Sequence, residues 1–337
     1  MNAVLNLPPE QRIELFSQAG LELGLPAFYV EKDFWVCWVL EALFHSEPIG
    51  QHLSFRGGTS LSKGWGLIDR FSEDIDLSIA RTWIDSQLLD PADGTISRAQ
   101  QDRLLKLLRR ACREVVRDQI FPLIERQVEK LEGNASARLV EIDQARDPFV
   151  IEIEYPRVDS GPGRDYQRPL VKVELSGRAD SWPEEDRLIT PYVVQAFPQV
   201  AQQQELRIRC VTPARTFWEK SSLLHERHAQ RGDRFASRQS RHLYDLIKLW
   251  EHVRAEDGLR DLFTGVKLHR KAFYNYGGID YDQLTPGGLV LTPPEDRLQA
   301  WRADYQDMRD MFIGDPPEFD DLIESVRQIE RALRDNS

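Results

Sequence analysis

The sequence predicts an α+β protein in two lobes, a mixed-sheet lobe over residues 1–206 and a helical lobe over 207–337. Three observations lead there. Segments that alternate apolar and polar residues, the mark of half-buried strands, all lie before 206. Beyond it, apolar residues recur at three- and four-residue spacing, as on a helix face. The length of 337 residues also suffices for one large domain or two ordinary ones.

Element by element, residues 9–20 and 26–45 read as amphipathic helices, the second aromatic enough to be largely buried. "HLSF" is a short strand ending at Gly57-Gly58, "TSLSKGWGLI" one or two helical turns, and "DIDLSI" a strand. Residues 97–131 form a long helix or helix pair, the helical insertion of the first lobe. "RLVEI", "FVIEIEY" and "LVKVELSG" alternate as strands, with a Pro/Gly-rich turn over 157–169 before the last. In "TPARTFWEKSSLLHERHAQ" Thr212 is a helix N-cap and Pro213 takes the first helical position. "SRQSRHLYDLIKLWEHV", "AWRADYQDMRDMF" and "FDDLIESVRQIERALRD" are further helices.

Composition narrows the class. No run approaches the roughly 18 apolar residues of a membrane span. The first residues lack the basic and apolar regions of a secretion signal. Cys37, Cys112 and Cys210 lack metal-type spacing and read as reduced, buried thiols. A cytoplasmic protein without membrane contact is expected. The net charge of −11 argues against nonspecific coating of nucleic acid. From Arg207 to Arg241, however, nine Lys or Arg stand against three Asp or Glu, +6 locally, leaving −17 on the rest. Arg103, Lys106, Arg110, Arg113 and Arg117 also recur at helical spacing, either as a solvated face or as a groove for an RNA backbone.

The chemistry sits in "FRGGTSLSKGWGLIDRFSEDIDLSI", residues 55–79. Gly57 and Gly58, between a strand and a helix start, let backbone N–H groups approach a phosphate without Cβ hindrance. Asp74 and Asp76, two apart on a strand, face one side, and such a pair is tolerable if a cation sits between the carboxylates. Mg²⁺ takes oxygen ligands of this kind together with substrate phosphates. A third carboxylate on a neighbouring strand would complete a two-metal site, with Glu174 the first candidate and Glu152 and Glu154 the alternatives. Ser72 completes an S-x-D-x-D pattern, and both a phosphate contact and a structural turn stay open for it. Lys63 either reaches the phosphates or is simply exposed. His225, His228 and His242 lack the spacing of a zinc site.

The apolar-x-Gly-Gly turn, short helix and Asp-apolar-Asp together resemble the core of nucleotidyltransferases related to DNA polymerase β. With "EKDFWV", "TFWEKSSLLHER", "RHLYDLIKLW" and "DYQDMRDMF" in order, most of the chain resembles the AbiEii/AbiGii toxin family of bacterial abortive-infection and toxin–antitoxin systems. That resemblance implies a polymerase β-like lobe in which Gly57, Gly58 and Thr59 cradle a nucleoside triphosphate and Asp74, Asp76 and Glu174 hold Mg²⁺. It implies that a Lys and a later Asp of the helical lobe, here Lys220 and Asp245, face the metal carboxylates. Lys220 would neutralise charge at the phosphoryl group. Asp245 would hydrogen-bond a neighbour or activate the nucleophile as a base, or else pair along its helix with Arg241 or Lys248. Glu31, Lys32 and Asp33 are expected to make polar contacts between the lobes. The implied activity is transfer of NMP from an NTP, with tRNA a plausible acceptor and a cognate antitoxin as partner. The alternatives are a protein or small-molecule hydroxyl as acceptor, or a nucleotide-binding protein without catalysis.

Overall fold

The computed structural model describes residues 1–72, 74–93, 95–140, 149–156, 168–200, 205–229 and 237–335. They form two compact units, the first Met1–Gly64, Ser72–Leu88 and Lys106–Cys210, the second Trp65–Phe71, Leu89–Leu105 and Val211–Ser337. The division expected at 206/207 thus falls at 210/211, and two segments of the N-terminal half group with the C-terminal residues. The turn expected over 157–169 lies, up to residue 167, outside the described residues, as do 141 and 142 of "RLVEI".

The first unit opens with helices α1 (Asn2–Leu5), α2 (Pro9–Leu23) and α3 (Ala27–Phe44). Strand β1 (Leu53–Arg56) leads into the short helix α4 (Gly57–Lys63), and β2 (Asp74–Ile79) into α5 (Arg81–Ile84). The helix α6 (Arg98–Val115), whose residues up to 105 count with the second unit, continues through a π turn at Val116–Ile120 into α7 (Phe121–Val128). Then come β3 (Ser136–Val140), β4 (Phe149–Glu154), β5 (Leu170–Ser176), β6 (Glu184–Ile189), α8 (Tyr192–Ala196) and β7 (Leu206–Val211). The seven strands make one mixed sheet in the order β3-β4-β5-β2-β1-β7-β6. β2 runs antiparallel to β1 and parallel to β5, which places it at the centre.

Alternation decides which face each residue takes. Ile75, Leu77, Val171, Val173 and Leu175 are buried on one face of β2 and β5, and Phe55 joins them in the core. Asp74, Asp76, Lys172 and Glu174 occupy the alternate, half-buried positions. Helix α3 is buried all round from Tyr29 to Leu40, Glu31, Lys32 and Asp33 included, and packs against β5, α7 and α8; its aromatic sequence predicts this burial. The five-residue basic stripe is the exposed face of α6 and the π turn, opposite buried Leu108, Cys112 and Val115. Arg110 and Arg117 of that stripe pair locally with Glu114 and Asp118. All three cysteines are buried free thiols.

The second unit is built from α9 (Pro213–Ala229), α10 (Arg241–Val253), α11 (Leu259–Phe273), α12 (Leu298–Asp307) and α13 (Phe319–Asp335). Helix α9 packs on α10 and α11, and α13 on α10, around Phe217, Trp218, Leu224, Leu243, Leu249, Phe263 and Val326. Thr212 caps α9 as expected, its Oγ1 accepting the Arg215 N–H at 3.4 Å. Helix α11 and strand β6 are elements that the sequence pattern does not single out.

Candidate active site

Two strands and one turn of the first unit assemble the carboxylates. In the parallel pairing of β2 with β5, Asp76 lies opposite Glu174 and Asp74 opposite Lys172, so all four side chains share one face. Of the three glutamates, register places Glu174 directly beside Asp76, while Glu152 and Glu154 stand on β4, one strand further from β2. Glu152 is bonded by Arg138, and Glu154 pairs with Arg168 at 2.8 Å. On its other side Asp76 neighbours Arg56, the residue before Gly57. Gly57 has φ +76°, and a Cβ there would stand 2.0 Å from Asp76 Oδ2. The aspartate and the turn are thus fitted to each other, and only glycine serves at 57.

Lys172 is the site residue that the sequence motifs do not reveal. Its ammonium bonds Glu174, and although burial works against its charge, Glu174, Asp74 and Asp76 together raise its pKa. Among the described residues no three Asp, Glu, His or Cys side chains converge as a ready metal cage. Glu174 is instead turned to Lys172. The signal is present in "LVKVEL", where Lys172 shares the alternate positions with Glu174.

Thr59 is 1 % exposed, and its hydroxyl donates to the Asp74 carbonyl oxygen at 2.5 Å and lies 2.9 Å from Ser72 Oγ. Both hydroxyls thereby tie α4 to the start of β2, which favours the structural turn for Ser72 and leaves Thr59 only its backbone for a ligand. Lys63 requires a correction. It neither reaches toward phosphate nor lies exposed: its Nζ pairs with Asp33 at 2.7 Å, donates to the Thr190 carbonyl at 2.8 Å and lies 3.9 Å from the centre of the Tyr192 ring. Asp33 in turn accepts the Tyr192 N–H at 2.6 Å. Burial would strip the ammonium of its proton, but Asp33, Cys37 and Tyr192 raise its pKa. Asp33 therefore works inside the first unit, not between lobes as expected.

In the second unit Lys220 and Asp245 do meet, at 2.8 Å between Nζ and Oδ2. Asp245 is fully buried and takes a bidentate pair from Arg70, Nε and Nη2 each donating at 2.7 Å. Its helix neighbours are not its partners: Lys248 pairs with Asp69 at 3.1 Å. Burial alone would raise the Asp245 carboxyl, yet Arg70 and Lys220 hold it well below the usual carboxylate range. With both its oxygens engaged by Arg70 and Lys220, Asp245 hydrogen-bonds its neighbours and has no oxygen clear for the expected base role. Lys220 moves the other way: burial pushes its pKa down, Asp245 raises it only in part, and Arg70 and Arg241 add to the lowering. Of the histidines, His225 accepts the Val290 N–H at 3.1 Å, His228 bonds the Leu291 carbonyl at 3.0 Å, and His242 is buried. Arg70 carries no signal in the sequence because its partner lies 175 positions away.

The family model for the nucleotidyl transferase AbiEii toxin of type IV toxin–antitoxin systems matches residues 38–325, most of the chain. No curated relative matches it. Among the described residues no helix is long and apolar enough to cross a membrane.

Proposed function

The chain belongs to the AbiEii family of nucleotidyl transferase toxins, and from that premise we propose that it transfers NMP from an NTP to RNA, tRNA in particular, releasing pyrophosphate. The observation that carries this reading is the register of Asp76 with Glu174 beside a turn where Gly57 leaves room for no side chain. Two neighbouring carboxylates with a third in reach are the donor set Mg²⁺ uses together with substrate phosphates. Asp74 and Asp76 would hold the ion, with Glu174 joining once released from Lys172. Bound there, Mg²⁺ supplies Lewis-acid polarisation of the phosphoryl group and orients the triphosphate.

The chain's own groups supply the rest. Backbone N–H groups at Gly57, Gly58 and Thr59 bind phosphate oxygens, which side-chain-free turns permit. Lys220 stabilises developing negative charge, and Asp245 and Arg70 hold it in place. The acceptor hydroxyl loses its proton to solvent or to a phosphate oxygen, since Asp245 is spent on its two cations. We place this activity in the cytoplasm, where NTP and tRNA occur together, under the control of a cognate antitoxin.

Purified protein with Mg²⁺ and each α-labelled NTP tests the reading, with total RNA, protein lysate or buffer as acceptor and Asp76→Ala as control. Label entering small RNA only with Asp76 intact is the expected result. The net charge of −11 favours a second reading, a protein or small-molecule hydroxyl as acceptor, which label in those fractions would establish. NTP bound without any transfer would sink catalysis and leave a binding protein.

A further inference from the structure

The described residues of the second unit gather more positive charge around the start of α10 than they answer. Lys220 and Arg227 lie two turns apart on one face of α9. Arg241 and His242 open α10, which packs against α9. Arg227, Arg241 and Lys220 all lie within electrostatic reach of the His242 ring, and Arg270 within reach of Arg227.

Among the described residues, the carboxylates nearby are already taken. Asp245 is held by Arg70 and Lys220, and Glu226 by Arg270 and the Tyr281 hydroxyl. Asp304 accepts the N–H groups of Arg238 and Ser240 and the Ser240 hydroxyl. Among the described residues, Arg227 and Arg241 have no carboxylate partner. Two buried polar atoms also lack one, Arg227 Nε and Nδ1 of His242, a residue only 9 % exposed. Orphaned buried donors beside unanswered charge are a recurrent sign of an absent anion.

We propose that Arg227, Arg241 and His242 form a phosphate-binding subsite of the second unit. The planar guanidinium fork matches phosphate oxygens in pairs, and two such forks stand on the packed helices α9 and α10, neither bonded by a carboxylate among the described residues. The His242 tautomer with its proton on Nδ1 adds a third, neutral donor. Burial and the three nearby cations keep the ring uncharged when no anion is present. The subsite does not depend on the transferase reading, because its groups owe nothing to the carboxylates of β2 and β5.

The test uses full-length protein in EDTA, so that no divalent ion can bridge phosphate to the acidic face. Inorganic tripolyphosphate should raise the Tm of the wild type in a dose-dependent manner, as a ligand of the native state must. The variant Arg227→Gln/Arg241→Gln should lose that shift. Without phosphate its Tm should equal or exceed that of the wild type, because the substitutions relieve repulsion; a merely structural pair of arginines would instead lower it. A short single-stranded RNA, titrated at several salt concentrations, identifies the source of the phosphate. If the site reads an RNA backbone, the double variant should lower the salt slope by about 1.4, about 0.7 for each phosphate left without its arginine. An RNA slope left unchanged, with tripolyphosphate protection abolished, would assign the site to the phosphates of the nucleotide. Equal protection of wild type and variant, no protection by any phosphate, or a variant that melts lower without phosphate would each overturn the proposal.

Discussion

Lys63 with Asp33 in the first unit and Lys220 with Asp245 in the second are buried ion pairs of nearly equal length, 2.7 and 2.8 Å. By sequence alone, both lysines are candidates for phosphate contact. Their surroundings separate them. Lys63 faces one carboxylate, a carbonyl and a tyrosine ring, and its charge is answered on every side. Lys220 shares its carboxylate with Arg70 and has Arg241 nearby, so it is a cation in surplus. The aspartates differ accordingly. One ammonium does not outweigh the burial of Asp33, whose carboxyl is raised, whereas two cations hold Asp245 well down. Local charge balance, more than burial or pair length, separates the two lysines.

The largest expected effect tests the balanced pair. Lys63→Met leaves Asp33, 4 % exposed, as a buried carboxylate without its cation, and should cost about 3–5 kcal/mol of unfolding free energy in a urea titration. A loss below about 1 kcal/mol would mean that the pair contributes little and that Lys63 is free for another role.

Lys220→Met should behave oppositely. Asp245 keeps its bidentate arginine, so stability should change by less than about 1 kcal/mol. Nucleotidyl transfer should fall on the order of 10²–10³-fold in kcat, the usual loss for one preorganised electrostatic group. A variant that melts far lower, with turnover intact, would make Lys220 structural and erase the contrast.

Much of this is legible in the sequence, and the exceptions share one physical cause. Alternation locates β2, β4 and β5, and the Gly57-Gly58 turn with Asp74 and Asp76 is local enough to read directly. Pairing across the chain is what the sequence hides. Glu174, Glu152 and Glu154 all alternate with apolar residues, and although the sequence ranks Glu174 first, it takes the parallel register of β5 on β2 to set that residue beside Asp76. Lys63 looks like a ligand contact until Asp33 and Thr190, 30 positions before it and 127 after, close around it. Strand β6, "EEDRLI", begins with a run of charged residues, so its apolar alternation is too weak to show.

Gly57→Ala is the next smaller effect. A β-carbon in this left-handed conformation costs about 1–2 kcal/mol, and it would displace the Asp76 carboxylate 2.0 Å away. Stability should drop by roughly that amount while transfer falls further than stability explains. Equal loss of both would reduce the turn to a folding element.

The smallest effect is a slope in acid, and it sharpens the contrast between the aspartates. Asp245 has a folded pKa below its unfolded value of about 3.9. Its stabilisation is therefore complete above that value and is lost as pH falls toward the folded pKa, by at most about 1.4 kcal/mol per pH unit. Asp33, raised on folding, contributes with the opposite sign: burial favours its protonated form, so its part in stability weakens as pH rises through the ordinary carboxylate range. Urea titrations between pH 3 and pH 6 should show Asp245→Asn flattening the acid loss of the wild type and Asp33→Asn leaving it steep. If the two substitutions changed the slope alike, charge balance would not distinguish the pairs, and surplus cation at Lys220 would no longer explain its role.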